Sequence, residues 1–267
     1  MKKLLLWLLA ALMTLAAFVY QRRTGPTYPA RGKADVAGTE IRYRLPRSAL
    51  TTGPCRIMVA VREPEIGGYV SYRRFRTDDP LTRIVLEHEG DSLTAGLPRQ
   101  PAAAKLAYQV HLRKGNETVS LTGDHFIVVR YRGDVPAAVL LPHILVIFLG
   151  MLFSTAAGLT ALDKRSDPRK LAVWAAVILF AGGIILGPIM QQYAFGKLWT
   201  GFPLGSDLTD NKTLISLAVW AAALIAGRKG RDARKWILAA SIITLAVFLI
   251  PHSLMGSELK WEQAAGM

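Results

Sequence analysis

Five long runs of apolar residues, each free of charged side chains, limit what this chain can fold into. A helix needs about 20 apolar residues to cross the hydrocarbon core of a bilayer. The last two runs are shorter, and we expect each to gain about a turn from neutral residues beside Thr213 and from residues 251–254. We therefore predict five transmembrane helices, over residues 4–20, 136–162, 171–190, 214–226 and 236–250.

The first run directly follows Met1, Lys2 and Lys3, as a targeting sequence does. No small-x-small cleavage site precedes the basic pair Arg22 and Arg23, so residues 1–21 are predicted to be an uncleaved signal anchor. A cleaved signal peptide is the alternative reading of the same run.

Basic residues occupy alternate connections between the runs. The chain has 33 Lys and Arg against 19 Asp and Glu, a net charge of +14. Short basic loops stay on the cytoplasmic side of a membrane. The sequence therefore predicts a bacterial inner-membrane protein with a cytoplasmic N-terminus and an extracytoplasmic C-terminus. The basic residues that fix this orientation are Lys2, Lys3, Lys164, Arg165, Arg169, Lys170, Arg228, Lys229, Arg231, Arg234 and Lys235.

The segment 22–135 has the pattern of an extracytoplasmic β domain. Apolar residues alternate in short blocks separated by Gly, Pro and Asp. Seven blocks suit a β-sandwich. The predicted strands are Ile41–Leu45, Cys55–Arg62, Tyr69–Phe75, Arg83–Glu87, Ser92–Leu97, Lys105–Leu112 and Phe126–Tyr131.

A proline-marked corner at residues 93–101 leads into an aromatic-bearing stretch at residues 105–110. This arrangement resembles the end of many bacterial fibronectin type III and immunoglobulin-like domains. The resemblance implies a fold, with an inward aromatic residue on that strand, and implies no activity.

The predicted β domain is itself basic, with 19 Lys and Arg against 12 Asp and Glu. Arg73, Arg74 and Arg76 lie close together in one predicted strand. Attraction to anionic lipid or to an acidic envelope protein is one interpretation. A solvated strand face is favoured, because no aromatic platform accompanies the charge. Nucleic acid is not expected outside the membrane, and Cys55 is expected to pack as a buried strand residue.

Two histidines lie within or beside the apolar runs, each directly after a proline. His143 follows Pro142, and His252 follows Pro251. The predicted orientation places both toward the outer face. Ionisable groups at such depths cost free energy unless they meet a ligand, a partner or water. Each histidine could equally bond to a neighbouring backbone carbonyl, which would be a purely structural role.

The predicted outer loop, residues 191–213, is rich in glycine and aromatic residues. Asp207 or Thr209 is expected to cap the next helix, and Asp210 to pair locally with Lys212. The aromatic residues of the loop could form an interfacial belt. They are Tyr193, Phe195, Trp199 and Phe202.

The order His143, Trp199, Asp207, His252 is similar to that of haem-handling proteins of cytochrome c assembly. Those proteins carry an outer Trp-rich loop, ending in Trp-Asp, between two outer-face histidines. The resemblance implies haem as the cofactor, with His143 and His252 as axial ligands and Trp199 and Asp207 beside it. Here Ser206-Asp207 replaces Trp-Asp, and the loop has a single tryptophan.

The sequence also allows functions other than haem binding. His143 and His252 could hold another metal, although they lack the short spacing typical of zinc sites. A non-enzymatic scaffold, whose domain 22–135 binds an envelope protein, is the main alternative. Internal charges and repeated halves, expected of a transporter, are missing from the sequence. The absence of G-x-S-x-G and H-E-x-x-H motifs is against an enzyme.

The predicted fold is an α+β membrane protein. It has a signal-anchor helix (1–21), an immunoglobulin-like or fibronectin III-like β-sandwich (22–135) and a four-helix transmembrane domain (136–267). Residues 133–136, which lead into the second helix, resemble the same region of bacterial inner-membrane proteins, and that resemblance carries no activity.

Overall fold

The computed structural model describes residues 3–228, 232–252, 254, 256, 258–259 and 261. The described residues divide into a helical unit, which lies within the ranges Met1–Pro26 and Val135–Ser257, and a β unit, which lies within the ranges Thr27–Asp134 and Glu258–Met267. The fold is therefore α+β, as predicted. The units differ from the predicted domains 1–21, 22–135 and 136–267 in two ways. The first helix belongs with the later helices, and the end of the chain belongs with the strands.

Four helical segments are long and apolar enough to cross a membrane: Lys3–Thr24, Ala137–Leu162, Arg169–Phe195 and Leu208–Arg228. The third is continuous but contains a π-helical segment, Ala181–Leu186. These segments support the prediction of a membrane protein. The helices are α1 (Lys3–Thr24), α2 (Ala137–Leu162), α3 (Arg169–Phe180), α4 (Gly187–Phe195), α5 (Leu208–Arg228) and α6 (Ala233–Leu249).

The fifth predicted span corresponds to α6, which has 17 residues. At 1.5 Å per residue it is about 25 Å long, at the lower limit for crossing the hydrocarbon core. Its role as a fifth span stays a prediction.

Hydrogen bonds between helix ends show which ends of the helices lie together. In each of them a side chain donates to a backbone carbonyl near the end of another helix. At one end, the Arg234 guanidinium donates to the carbonyl oxygens of Asp163, at 2.7 Å, and Lys164, at 3.2 Å, just beyond α2. At the other end, Gln21 Nε2 on α1 donates to Phe248 O on α6, at 2.6 Å. We call these the basic end and the histidine end. The side of a membrane that each end faces stays a prediction.

Small residues let the helices approach closely. A Cβ atom at Gly158 on α2 would lie 2.3 Å from Ser241 Oγ on α6. At Gly150 it would lie 2.8 Å from Leu179 Cδ2 on α3. The buried core of the helical unit is correspondingly rich in alanine, and its aromatic members are Trp220 and Phe248.

Every predicted strand is at least partly a strand in the structure, and Ser92–Leu97 has the predicted bounds. β1, β3 and β10 have no predicted counterpart. The strands are β1 (Ala30–Val36), β2 (Thr39–Leu45), β3 (Ser48–Leu50), β4 (Cys55–Ala60), β5 (Ile66–Arg74), β6 (Thr82–Val85), β7 (Glu87–Glu89), β8 (Ser92–Leu97), β9 (Lys105–Lys114), β10 (Glu117–Ser120) and β11 (Ile127–Arg132).

Three sheets contribute to one buried core in the β unit. The largest has the order β3-β11-β9-β5-β6, with β10 also paired to β9. The others are β1-β2 and β4-β8-β7, and all pairs are antiparallel except β3 with β11. Tyr108 on β9 points into this core, as the predicted inward aromatic residue should, and donates to Pro46 O. Cys55 is also buried. The sandwich and the immunoglobulin-like topology stay predictions.

Candidate functional site

The histidine end of the helical unit contains three buried charged residues at the start of α5. Asp207, Asp210 and Lys212 expose 7%, 8% and 2% of their surface. Buried charges are costly unless they are paired or hydrogen-bonded. Each therefore needs specific partners, and those partners define the architecture of this end.

Asp210 fixes the loop that precedes α5. Its Oδ2 accepts hydrogen bonds from the backbone N–H of Thr200, at 2.7 Å, and of Gly201, at 2.9 Å. Gly201 also packs tightly here, since a Cβ atom would lie 2.5 Å from Asp210 Cβ. Asn211 Oδ1 accepts from Phe202 N at 2.7 Å. The loop is thus held against the first turn of α5.

Gln191, in the middle of α4, joins the same network. Its side chain lies 2.6 Å from Thr200 Oγ1. In the amide orientation that satisfies both of its partners, its nitrogen donates to Asp210 Oδ1 at 3.0 Å. The loop between the helices is therefore shorter than the predicted 191–213. Residues 191–195 lie in α4 and residues 208–213 lie in α5.

Asp207 caps α5, as the sequence predicted, because its Oδ1 accepts from the backbone N–H of Thr209 at 2.8 Å. A carboxylate is favourable at the positive end of a helix dipole. The expected local pairing of Asp210 with Lys212 is wrong, since Asp210 turns toward the loop and Lys212 toward α6.

Lys212 reaches the end of α6. Its Nζ donates to Ile250 O and, at 3.2 Å, to Pro251 O. Carbonyl groups at the end of a helix lack partners within the helix, and they carry the negative end of its dipole. The buried ammonium satisfies them, so Lys212 has a structural role that ties α5 to α6.

His143 on α2 is half-buried and contacts the π-helical segment. Its Nδ1 lies 3.1 Å from Gly182 O. The same carbonyl accepts the backbone N–H of Gly187, five residues later. Single-turn π-helices occur frequently at functional sites. A histidine bonded to a carbonyl through Nδ1 has that nitrogen protonated and Nε2 available as a ligand.

Close packing places the π-helical segment between α2 and α5. A Cβ atom at Gly182 would lie 2.8 Å from Ile147 Cδ1, and one at Gly183 would lie 2.2 Å from Thr213 Cγ2. Larger residues at either position would displace the segment. The two glycines thus set the position of the carbonyl that His143 contacts.

His252 lies just beyond α6 and is exposed. The charges of Lys212, His143 and Asp207 all act on its imidazole, so these four residues share one neighbourhood. The structure therefore brings together three of the four residues predicted for the site. The fourth, Trp199, lies in the adjoining loop, where its Nε1 donates to Phe202 O at 3.0 Å.

The possible ligands at this end are the imidazoles of His143 and His252 and the carboxylates of Asp207 and Asp210, which already accept backbone N–H groups. Among the residues that the structure describes, no three His, Cys, Asp or Glu side chains are grouped closely enough to hold a metal ion.

The sequence interpretation missed the contacts that Gln191 and Thr200 make in this network. It also missed the structural role of Lys212. The sequence did contain one signal of this network. Lys212 lies two residues before the fourth apolar run, and Asp207 and Asp210 precede it closely. Charges this close to a membrane helix indicate specific partners.

The fold and this site define a membrane protein of mixed α+β structure with a polar, histidine-containing centre at one end of its helices. No protein-family model, curated protein or solved structure matches the chain.

Proposed function

We propose that this is a bacterial inner-membrane protein that binds haem at the histidine end of its helical unit. In this proposal His143 and His252 are the axial ligands, and Trp199 and Asp207 lie beside the cofactor. The main supporting observation is the shared neighbourhood of the two histidines, with His143 held through Nδ1 by the carbonyl of Gly182.

The chemistry of the residues present fits this cofactor. Haem iron accepts two neutral imidazoles as ligands. Bound between two histidines, haem supplies one-electron redox chemistry.

The residues of the chain have separable roles in this proposal. The carbonyl of Gly182 sets the tautomer and orientation of His143, as backbone carbonyls do for metal-binding histidines. Lys212 fixes the end of α6 immediately before His252. The loop held by Asp210 positions Trp199. Protein contacts would thus orient both ligands before the cofactor binds.

The experiment is purification of the full chain in detergent after expression with added haem precursor. The readout is pigment per chain for the wild type, His143→Ala and His252→Ala. We expect either substitution to lower haem content at least about tenfold, as the loss of an axial ligand should. His125→Ala is the matched control, because His125 lies exposed in the β unit and its hydrogen bonds with Thr122 are made by its backbone.

A second candidate function is a non-enzymatic envelope scaffold whose β unit binds another protein. It is favoured by exposed apolar side chains beside and on the edge strand β6, where Leu81 and Val85 are 48% and 71% exposed. Edge strands can pair with a partner strand. Cross-linking from position 85 to one defined protein, in pigment-free preparations, would favour the scaffold over haem binding.

A further inference from the structure

Three basic side chains meet at one corner of the largest sheet. Arg74 ends β5, Arg76 follows two residues later, and Lys105 begins β9. The guanidinium of Arg76 and the ammonium of Lys105 lie 5.2 Å and 5.4 Å from the centroid of the Phe75 ring. The sequence interpretation found no aromatic platform here, and Phe75 provides one. We call Arg74, Phe75, Arg76, Ala103 and Lys105 the basic corner.

Glu258 supplies a carboxylate to two of the basic side chains of the corner. Glu258 Oε2 lies 2.8 Å from Lys105 Nζ and 3.4 Å from Arg76 Nη1. The side chains of Lys105 and Glu258 expose only 17% and 24% of their surface. An ion pair shielded in this way is screened less by salt than an exposed one.

Two further contacts join the basic corner to the residues that follow Glu258. The backbone N–H of Leu259 donates to Ala103 O at 3.1 Å. The Arg74 guanidinium lies 5.1 Å from the centroid of the Trp261 ring, in a cation–π contact. The bidentate pair of Arg74 with Asp79 holds that guanidinium in position. The corner thus contacts an acidic side chain, a main-chain amide and an aromatic ring.

The backbone of the corner is set up for these contacts. Ala103 and Arg76 have φ angles of 66° and 59°, which residues other than glycine rarely adopt. Ala103 N donates to Tyr131 O at 3.0 Å, which holds its carbonyl toward Leu259. Unfavourable backbone conformations of this kind persist where the surrounding structure or a function requires them.

We propose that the basic corner is a binding site for a peptide segment with an acidic residue three positions before an aromatic one. The chain's own Glu258 and Trp261 occupy it in this structure. A protein partner that presents the same pattern would bind by displacing them. The amide contact to Ala103 favours a peptide over a lipid surface, because a phosphate headgroup has no N–H in that position.

The test uses the full chain in detergent with its own segment removed from the corner by Glu258→Ala and Trp261→Ala together. The probe is a fluorescent synthetic peptide with the sequence of residues 256–267. We expect the probe to bind this vacated protein at least about tenfold more tightly than the wild type, in which the site is occupied. A probe with alanine at positions 258 and 261 should lose that advantage.

Substitutions within the corner provide the specificity control. Lys105→Ala in the vacated protein should weaken probe binding about tenfold, while Arg113→Ala, at the other end of β9, should leave it unchanged. A charge reversal guards against misfolding: Lys105→Glu should bind a probe with lysine at position 258 better than the original probe.

Equal binding of the probe to the vacated and wild-type proteins would overturn the proposal. Equal effects of Lys105→Ala and Arg113→Ala would also overturn it. Glycerophosphoglycerol, the water-soluble headgroup of phosphatidylglycerol, distinguishes the lipid alternative. If it binds the vacated protein in a manner that Lys105→Ala abolishes, and the peptide does not bind, the corner recognises a lipid headgroup and the proposal is wrong.

Discussion

The Nδ1 atom of His143 lies 3.1 Å from the carbonyl oxygen of Gly182, and this contact joins α2 to the π-helical segment. Gly182 O also accepts a hydrogen bond from the backbone N–H of Gly187. The same carbonyl therefore takes part in the π-helical turn and in the contact with His143.

Gly183→Ala should displace the π-helical segment, because the new Cβ atom would lie 2.2 Å from Thr213 Cγ2. We expect a loss of about 2 kcal/mol in the free energy of unfolding, typical of overpacking. Thr213→Ser removes the clashing methyl group and keeps the hydroxyl that donates to Thr209 O. The double variant should therefore recover most of the stability in a detergent unfolding titration. No recovery would show that the contact with Thr213 does not position the segment.

Lys212→Met should destabilise the helical unit by about 2 kcal/mol, because the carbonyls of Ile250 and Pro251 would lose their donor. Unfolding in mixed micelles, followed by helical circular dichroism, measures this loss. Lys197→Met is the control, because Lys197 is an exposed lysine of the neighbouring loop. Equal stability of the two variants would contradict the structural role of Lys212.

Asp210→Ala should release the loop at residues 196–207, because the amides of Thr200 and Gly201 would lose their acceptor. We expect proteolytic cleavage in this loop to become about tenfold faster, as local unfolding becomes easier. Asp210→Asn keeps an oxygen that can accept and should have a smaller effect. If both variants are cleaved at the wild-type rate, Asp210 does not anchor the loop.

The ion pair of Arg74 with Asp79 should make the β unit sensitive to acid. Hydrogen bonds from Arg74 lower the pKa of Asp79 from 3.8 to about 2. A carboxyl whose pKa is lower in the folded state stabilises the fold above its unfolded pKa. That contribution is lost as the pH falls from about 4 toward 2.

Asp79→Asn should therefore lose less thermal stability than the wild type between pH 4 and pH 2, as followed by the β-sheet circular dichroism signal. Asp78→Asn, at the neighbouring exposed position, is the control and should behave as the wild type. A wild type and an Asp79→Asn variant with the same acid sensitivity would contradict this role of the pair.

Much of the fold could be predicted because its signals are local. Charge-free runs of sufficient length predicted the helices, and alternation predicted strands such as Ser92–Leu97. β1 alternates inward residues with charged outward ones, but its inward residues before Val36 are all Ala or Gly, so the alternation was not recognised as a strand. Tyr43 on the partner strand fills the space that a side chain at Gly32 would occupy. The large apolar side chain at this place comes from β2, and the sequence pattern of β1 alone does not show it.

The candidate site was less predictable because its contacts are distant in sequence. The pattern identified His143 and His252, but not the carbonyl of Gly182 that holds one of them. Lys212 and its acceptor Pro251 are 39 residues apart, so local reasoning assigned Lys212 to Asp210 instead. The π-helical segment has no local pattern beyond two pairs of small or helix-breaking residues, Gly182-Gly183 and Gly187-Pro188.

The most direct test of the proposed function is an optical absorption spectrum of the detergent-purified wild-type chain after haem supplementation. We predict the Soret band of a low-spin haem bound by two histidines, with about one haem per chain. A pigment-free protein, or one whose spectrum is unchanged in the His143→Ala and His252→Ala variants, would contradict it.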